Sequence, residues 1–155
     1  RSLDLELTAL HFRVESAYQL TNNDLLISRR SLTYEGAAKP CLIPISSEPL
    51  IFESSMIRVI PDINKIRTLY LFHYLANPLV KTHFIRKYVT GATIKGISQK
   101  NLENIKILVP PIKMQDKFIK AANSLSEFLE KSATHEKGVV NLFFSLSQKA
   151  FAGEL

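Results

Sequence analysis

The sequence predicts an α+β protein: a small mixed α/β domain followed by one long C-terminal coiled-coil helix. Three observations carry this expectation. Short apolar runs broken by turn residues and prolines extend to Ile60, apolar residues recur at helical spacing between Ile66 and Tyr88, and an unbroken seam follows Pro111. At 155 residues, 46% hydrophobic and 22% charged, the chain can bury a core and fits one domain plus an appendage.

Asn22-Asn23-Asp24 is a turn signal feeding the apolar run Leu25-Leu26-Ile27, a strand of the buried kind. That strand delivers Ser28-Arg29-Arg30-Ser31, followed by Thr33, Tyr34, Gly36 and Lys39, so guanidinium forks and hydroxyls share one loop. Arginine forks match both phosphate oxygens and the O6/N7 edge of guanine. The competing expectation is a structural ion pair of Arg29 or Arg30 with Glu35 or Glu53. Cys41–Ile45 and Met56–Ile60 are further strand-like runs, bounded by Pro44, Pro49 and Pro61. Cys41 is the single cysteine, which excludes an internal disulfide and a thiolate cage and leaves a buried, inert thiol as the expectation.

Leu69, Phe72, Leu75 and Ala76, then Val80, Phe84, Ile85 and Tyr88, recur at three- and four-residue steps. They predict two helices divided at Asn77-Pro78, with their aromatic residues in the core. The next stretch, Val89–Gln99, holds Thr90, Gly91, Thr93, Lys95 and Gly96 between hydrophobic anchors. Taken alone it is a plain surface turn. Ser98 is expected to cap a short turn through Asn101-Leu102 ahead of a strand at Ile105–Val109. Pro110-Pro111 then closes the first domain, residues 1–111, and residues 112–155 form the helix.

Along that helix Phe118, Ala122, Leu125, Leu129, Ser132, Glu136, Val139, Phe143, Leu146 and Ala150 alternate steps of four and three residues, the spacing of a coiled-coil seam. A helix this long cannot bury its stripe on the first domain, so Phe118, Ala122, Leu125, Leu129, Val139, Phe143, Leu146 and Ala150 are expected to pair with a partner helix; back-packing is the alternative. Ser132, Glu136 and Gly138 predict a kink or a polar register layer midway.

Charge is divided unevenly. Residues 1–111 carry 14 Lys and Arg against 9 Asp and Glu, a net of +5, whereas residues 112–155 carry 6 against 5. Lys81, Arg86, Lys87, Lys95 and Lys100 follow one another without an intervening acid. An anionic partner is therefore expected for the first domain, with a merely solvated basic face as the bland reading. No apolar run is long enough to cross a bilayer, and Arg1-Ser2-Leu3-Asp4 is not a signal peptide. The expectation is a soluble, cytoplasmic protein with no membrane partner, and the start without Met suggests a piece of a longer gene product.

Catalytic patterns are not found. None of the 14 acids has lysine two residues on, as metal-dependent nucleases of the Pro-Asp…Asp/Glu-x-Lys kind require at the position after Pro61-Asp62. Asn77-Pro78-Leu79 lacks the second proline and aromatic of adenine methyltransferases, and no Gly-rich strand-to-helix loop offers a cofactor site. His11, His73, His83 and His135 lack zinc spacing, and neither Gly-x-Ser-x-Gly nor a P-loop occurs. No metal, no cofactor and no catalytic residue is expected.

Four segments together carry a resemblance: Asn23-Asp-Leu-Leu-Ile-Ser-Arg-Arg30, Gly91-Ala-Thr-Ile-Lys-Gly-Ile-Ser98, Leu102-Glu-Asn-Ile-Lys-Ile-Leu-Val-Pro-Pro-Ile112 with Gln115, and Leu142-Phe-Phe-Ser-Leu-Ser-Gln-Lys-Ala-Phe-Ala-Gly-Glu-Leu155. In these the chain resembles the specificity subunits of type I restriction-modification enzymes over almost its whole length. It departs at Asn23, where the family has Gly, and its opening segment reads as shortened. The resemblance implies a target recognition domain plus one spacer helix, reading one half of a bipartite site in double-stranded DNA. It implies methyltransferase subunits and a restriction and motor subunit as partners, and a second specificity half or second copy through the helix. It also implies a non-catalytic role. On this reading Arg29, Arg30 and Tyr34 contact bases or the groove, Lys39, Lys87 and Lys95 contact phosphate, and Ser28, Ser31, Thr33, Thr90 and Thr93 offer hydroxyls. Gly91 and Gly96 let the backbone approach DNA. A stand-alone homodimeric DNA-binding protein and a coiled-coil interaction adaptor without DNA function are the alternatives.

Overall fold

The computed structural model describes the backbone of residues 7–9 and 20–152 and the side chains of residues 20–132. Two compact units are distinguished, Arg1–Asp116 and Lys117–Leu155. The α+β class expected from the sequence is observed.

The first unit is built on three small antiparallel sheets. β2 (Leu25–Ser28) is the centre of a three-stranded sheet, flanked by β4 (Pro40–Leu42) and β5 (Met56–Val59). Leu25 and Ile27 are buried along with Ile57 and Val59 opposite them, so β2 and β5 contribute the same alternate positions to the core. The turn before β2 is closed by Asp24, only 1% exposed, whose carboxylate accepts from the Thr21 amide at 2.7 Å and meets the Arg58 guanidinium at 2.8 Å. Burying this carboxylate is tolerable because a cation and an amide both satisfy it.

β4 is shorter than the run Cys41–Ile45 suggested, and it is an edge strand. Its alternation buries Pro40 and turns Cys41 outward, so the thiol expected to be buried is exposed. β1 (Leu7–Ala9) pairs with β7 (Lys106–Leu108), Thr8 opposite Ile107. The third sheet joins β3 (Arg30–Ser31) to β6 (Lys95–Gly96), Arg30 opposite Gly96 and Ser31 opposite Lys95.

α1 (Thr68–Ala76) buries Tyr70, Leu71 and Leu75; of the expected stripe Leu69, Phe72, Leu75 and Ala76 only Leu75 is buried, and the Tyr70 hydroxyl donates to the Leu108 carbonyl at 3.0 Å. The second helix is composite and is called α2 here. It is α-helical over Pro78–Val80, a π-helix over Lys81–Ile85 and a 3-10 helix over Arg86–Tyr88. Asn77 caps it by accepting from the Leu79 and Val80 amides, with Pro78 at the first helical position. Ile85 is buried, whereas Phe84, expected in the core, is 41% exposed: the π-turn changes the residue-to-face relation that a 3.6-residue period assumes. α3 (Gln99–Glu103) is capped by Ser98, which accepts from the Asn101 amide at 3.1 Å, as the sequence predicted.

α4 spans Ile112–Ala152 as one helix of 41 residues, about 60 Å at 1.5 Å per residue, and continues unbroken past Ser132 and Gly138. Its first turn is held by Gln115, which is 0% exposed. The Gln115 amide nitrogen donates to the Lys65 and Pro110 carbonyls at 2.9 and 2.7 Å, and its oxygen accepts from the Arg67 amide at 2.8 Å. Arg67 adds a two-pronged contact to Asp116, at 2.9 and 3.4 Å. In the second unit Phe118, Leu125 and Leu129 are exposed and Ala122 half-buried; Val139, Phe143, Leu146 and Ala150 lie outside the described side chains.

Candidate nucleic-acid interface

The two segments singled out in the sequence, Ser28–Tyr34 and Thr90–Gly96, meet in space through the β3–β6 ribbon. Arg29 leads into it with both backbone groups engaged: its amide donates to the Ser55 carbonyl at 2.8 Å and its carbonyl accepts from the Ile97 amide at 3.0 Å. With the backbone fixed on both sides, the Arg29 and Arg30 side chains are exposed. Neither forms an ion pair with Glu35 or Glu53 among the described residues. Glu53 instead accepts from the Ser55 hydroxyl.

Opposite Arg30 stands Gly96, where a methyl group would come within 3.0 Å of the Arg29 carbonyl and 4.0 Å of the Arg30 side chain. Thr90 and Gly96 exchange both backbone hydrogen bonds, at 2.9 and 2.8 Å, and so close a hairpin whose tip is Gly91–Ile94. Gly91 adopts φ +109°, and a Cβ there would lie 1.9 Å from the Ile94 carbonyl oxygen. Gly91 is thus required by the hairpin itself, whereas at Gly96 a methyl group would be a tight fit against the Arg29 carbonyl. The Lys95 ammonium donates to the Gly91 and Ala92 carbonyls, at 2.8 and 2.6 Å, which fixes the loop and holds the charge beside it.

The loop after β3 is knitted by the hydroxyls expected to face DNA. Ser28 donates to the Arg30 carbonyl at 3.0 Å, Ser31 accepts from the Thr33 amide at 3.1 Å, and Thr33 accepts from the Gly36 amide at 3.2 Å. Ser31 and Thr33, as acceptors, keep a proton for another partner. Thr90 and Thr93 are exposed. Gly36 packs against Ser31, where a Cβ would lie 2.1 Å from the hydroxyl oxygen.

Tyr34 is the keystone between this loop and α2. Its hydroxyl donates to the Lys81 carbonyl at 3.3 Å, and the Lys81 ammonium and Arg86 guanidinium lie 5.7 and 5.3 Å from its ring centre. Burial pushes the Tyr34 phenol above the ordinary tyrosine value, against the pull of Arg86. Lys81 donates to the Glu35 and Ala37 carbonyls, the latter at 2.8 Å, so it staples the loop. Its pKa is lowered by burial, with Lys39 adding like-charge repulsion against the pull of Glu35. Lys39 is exposed, and its carbonyl accepts from the Ser28 amide at 2.9 Å. Lys87 is exposed on the 3-10 turn, its ammonium 5.0 Å from the Tyr88 ring centre.

The arrangement therefore gathers Arg29, Arg30, Lys95, Lys39, Lys81 and Arg86 around one two-stranded ribbon and its supporting loop. A two-stranded β-ribbon fits the major groove of B-form DNA, and clustered cations favour a polyanion. Sequence reasoning placed Lys81 and Arg86 in the basic stretch but gave neither a site role, because only the fold brings them to Tyr34. No three His, Cys, Asp or Glu side chains group as metal ligands among the described residues, and no described helix is long and apolar enough to cross a membrane.

Comparison with known proteins gives two findings. Residues 12–138 match the family model described as the type I restriction modification DNA specificity domain. Over 151 residues, 94% of this chain, the sequence is 28% identical to the type I restriction enzyme StySPI specificity subunit of Salmonella potsdam. The match covers 32% of that subunit, so the chain spans about a third of the relative's length.

Proposed function

The chain belongs to the family of type I restriction-modification DNA specificity domains, and from that premise we propose that it recognises one half of a bipartite DNA site and positions methyltransferase and restriction subunits on it. One observation supports this most: the antiparallel pairing of Arg30–Ser31 with Lys95–Gly96, which unites two distant basic segments in a ribbon of groove-compatible width. Arg29 and Arg30 are the base-reading or groove-contacting residues, supported by their exposure and fixed backbone. Lys39, Lys87 and Lys95 contact phosphates, and Tyr34 acts by holding Arg86 and the loop in place. Such contacts position the protein through phosphates and specify through base edges.

The protein has no catalytic centre of its own in this reading; adenine methylation and cleavage belong to partner subunits. The exposed stripe Phe118, Leu125 and Leu129 pairs with a second specificity half or a second copy, and part of α4 docks a methyltransferase subunit. The test is reconstitution of the chain with the methyltransferase subunits of its own system, followed by mapping of methylated adenines. Methylation confined to one recurrent sequence, and lost when the chain is omitted, is expected. The same methylation pattern with and without the chain refutes the proposal.

A further inference from the structure

Two large apolar side chains stand at one end of the basic ribbon. Leu32 directly follows Ser31 and Ile94 directly precedes Lys95, and Ser31 and Lys95 are paired, so both residues flank the same end of the β3–β6 ladder. They are 79% and 55% exposed. Scattered exposed aliphatics need no explanation in general, and Ile45 and Ile51 are exposed too. Those two, however, lie in a stretch that holds Glu48 and Glu53 and no Lys or Arg from Ile43 to Ser55. Leu32 and Ile94 adjoin the end of the ladder at which Ser31 and Lys95 pair, one step beyond Arg30, beside cations that draw in an anionic duplex.

We infer that Leu32 and Ile94 are specificity-determining residues that read the C5-methyl group of a thymine in the major groove, next to the bases or phosphates reached by Arg29 and Arg30. The methyl is the one apolar group that a base pair presents in that groove, and an aliphatic side chain is its complement. Both residues sit on fixed backbone: the Lys95 ammonium ties the hairpin carbonyls at Gly91 and Ala92, and the Ser31 hydroxyl accepts from the Thr33 amide just past Leu32. Two aliphatic groups held this way cost little further ordering on binding. The inference rests on the proposed DNA recognition and adds which base chemistry the ribbon selects.

The experiment uses the assembled specificity–methyltransferase complex and synthetic duplexes carrying the sequence found by methylation mapping. Each thymine of the half-site is replaced singly by deoxyuridine, which lacks only the methyl. About fourfold weaker binding is expected at one or two positions, the loss for one buried carbon. Leu32→Ala and Ile94→Ala should bind the thymine duplex more weakly, bind thymine and uracil duplexes equally, and melt at the wild-type temperature. Wild-type binding that is indifferent to every replacement overturns the inference while leaving DNA recognition intact, as does a thymine preference that survives in both variants. A complex that binds no duplex selectively overturns the proposed function and this inference with it.

Discussion

Gln115 lies at 0% exposure with three hydrogen bonds, so its replacement by alanine orphans the Arg67 amide and the Lys65 and Pro110 carbonyls. Urea unfolding of Gln115→Ala should show a loss of about 3 kcal/mol, about 1 for each orphaned group. Asp24→Ala leaves the Arg58 guanidinium buried without its carboxylate, and a loss of about 3–5 kcal/mol is expected by the same measurement. Tyr34 and Tyr70, whose phenols burial holds above the ordinary value of 10.0, should ionise late in an absorbance titration, and Tyr34→Phe should remove part of that late component. The folded state keeps these protons, so the stability involved is complete below that value and is lost as pH rises through the folded pKa. At this scale Arg29 and Arg30 were legible because a strand ending in adjacent arginines is a local pattern. Gln115 was visible only as one position of the resemblance, since its three partners are spread from Lys65 to Pro110. The exposure of Cys41 was not legible, because it depends on β4 being an edge strand.

Among the elements, the hairpin closed by Thr90 and Gly96, which carries β6, makes the sharpest demand on its residues. Gly91→Ala puts a methyl onto the Ile94 carbonyl at a positive φ, and a destabilisation of about 2 kcal/mol is expected in thermal or urea unfolding, together with weaker DNA binding. Arg29→Ala and Arg30→Ala should change binding without changing unfolding, since neither side chain supports the fold. The contrast separates residues that build the ribbon from residues that use it. Sequence periodicity located α4, because a seam over many turns is redundant. On α1 it found Leu75 but missed Tyr70 and Leu71, because Thr68–Ala76 is apolar on nearly every side and spacing alone could not select them over Leu69 and Phe72. The π and 3-10 turns of α2 and the β3–β6 pairing leave no local trace, the latter because each partner strand is two residues long.

For the whole molecule, the account joins a cationic reading surface to a helix whose apolar residues Phe118, Leu125 and Leu129 are exposed. Leu125→Asp with Leu129→Asp places two charges on that stripe, and sedimentation should then show reduced self-association or reduced pairing with the second specificity half. The central claim concerns the ribbon. It is tested most directly by titrating the assembled complex with its target duplex over a range of salt, comparing wild type with Arg29→Ala, Arg30→Ala. The account predicts at least tenfold weaker binding with an unchanged melting temperature, and a salt slope reduced by about 0.9 for each arginine that had been neutralising a phosphate. Wild-type affinity and slope in the double variant would contradict it.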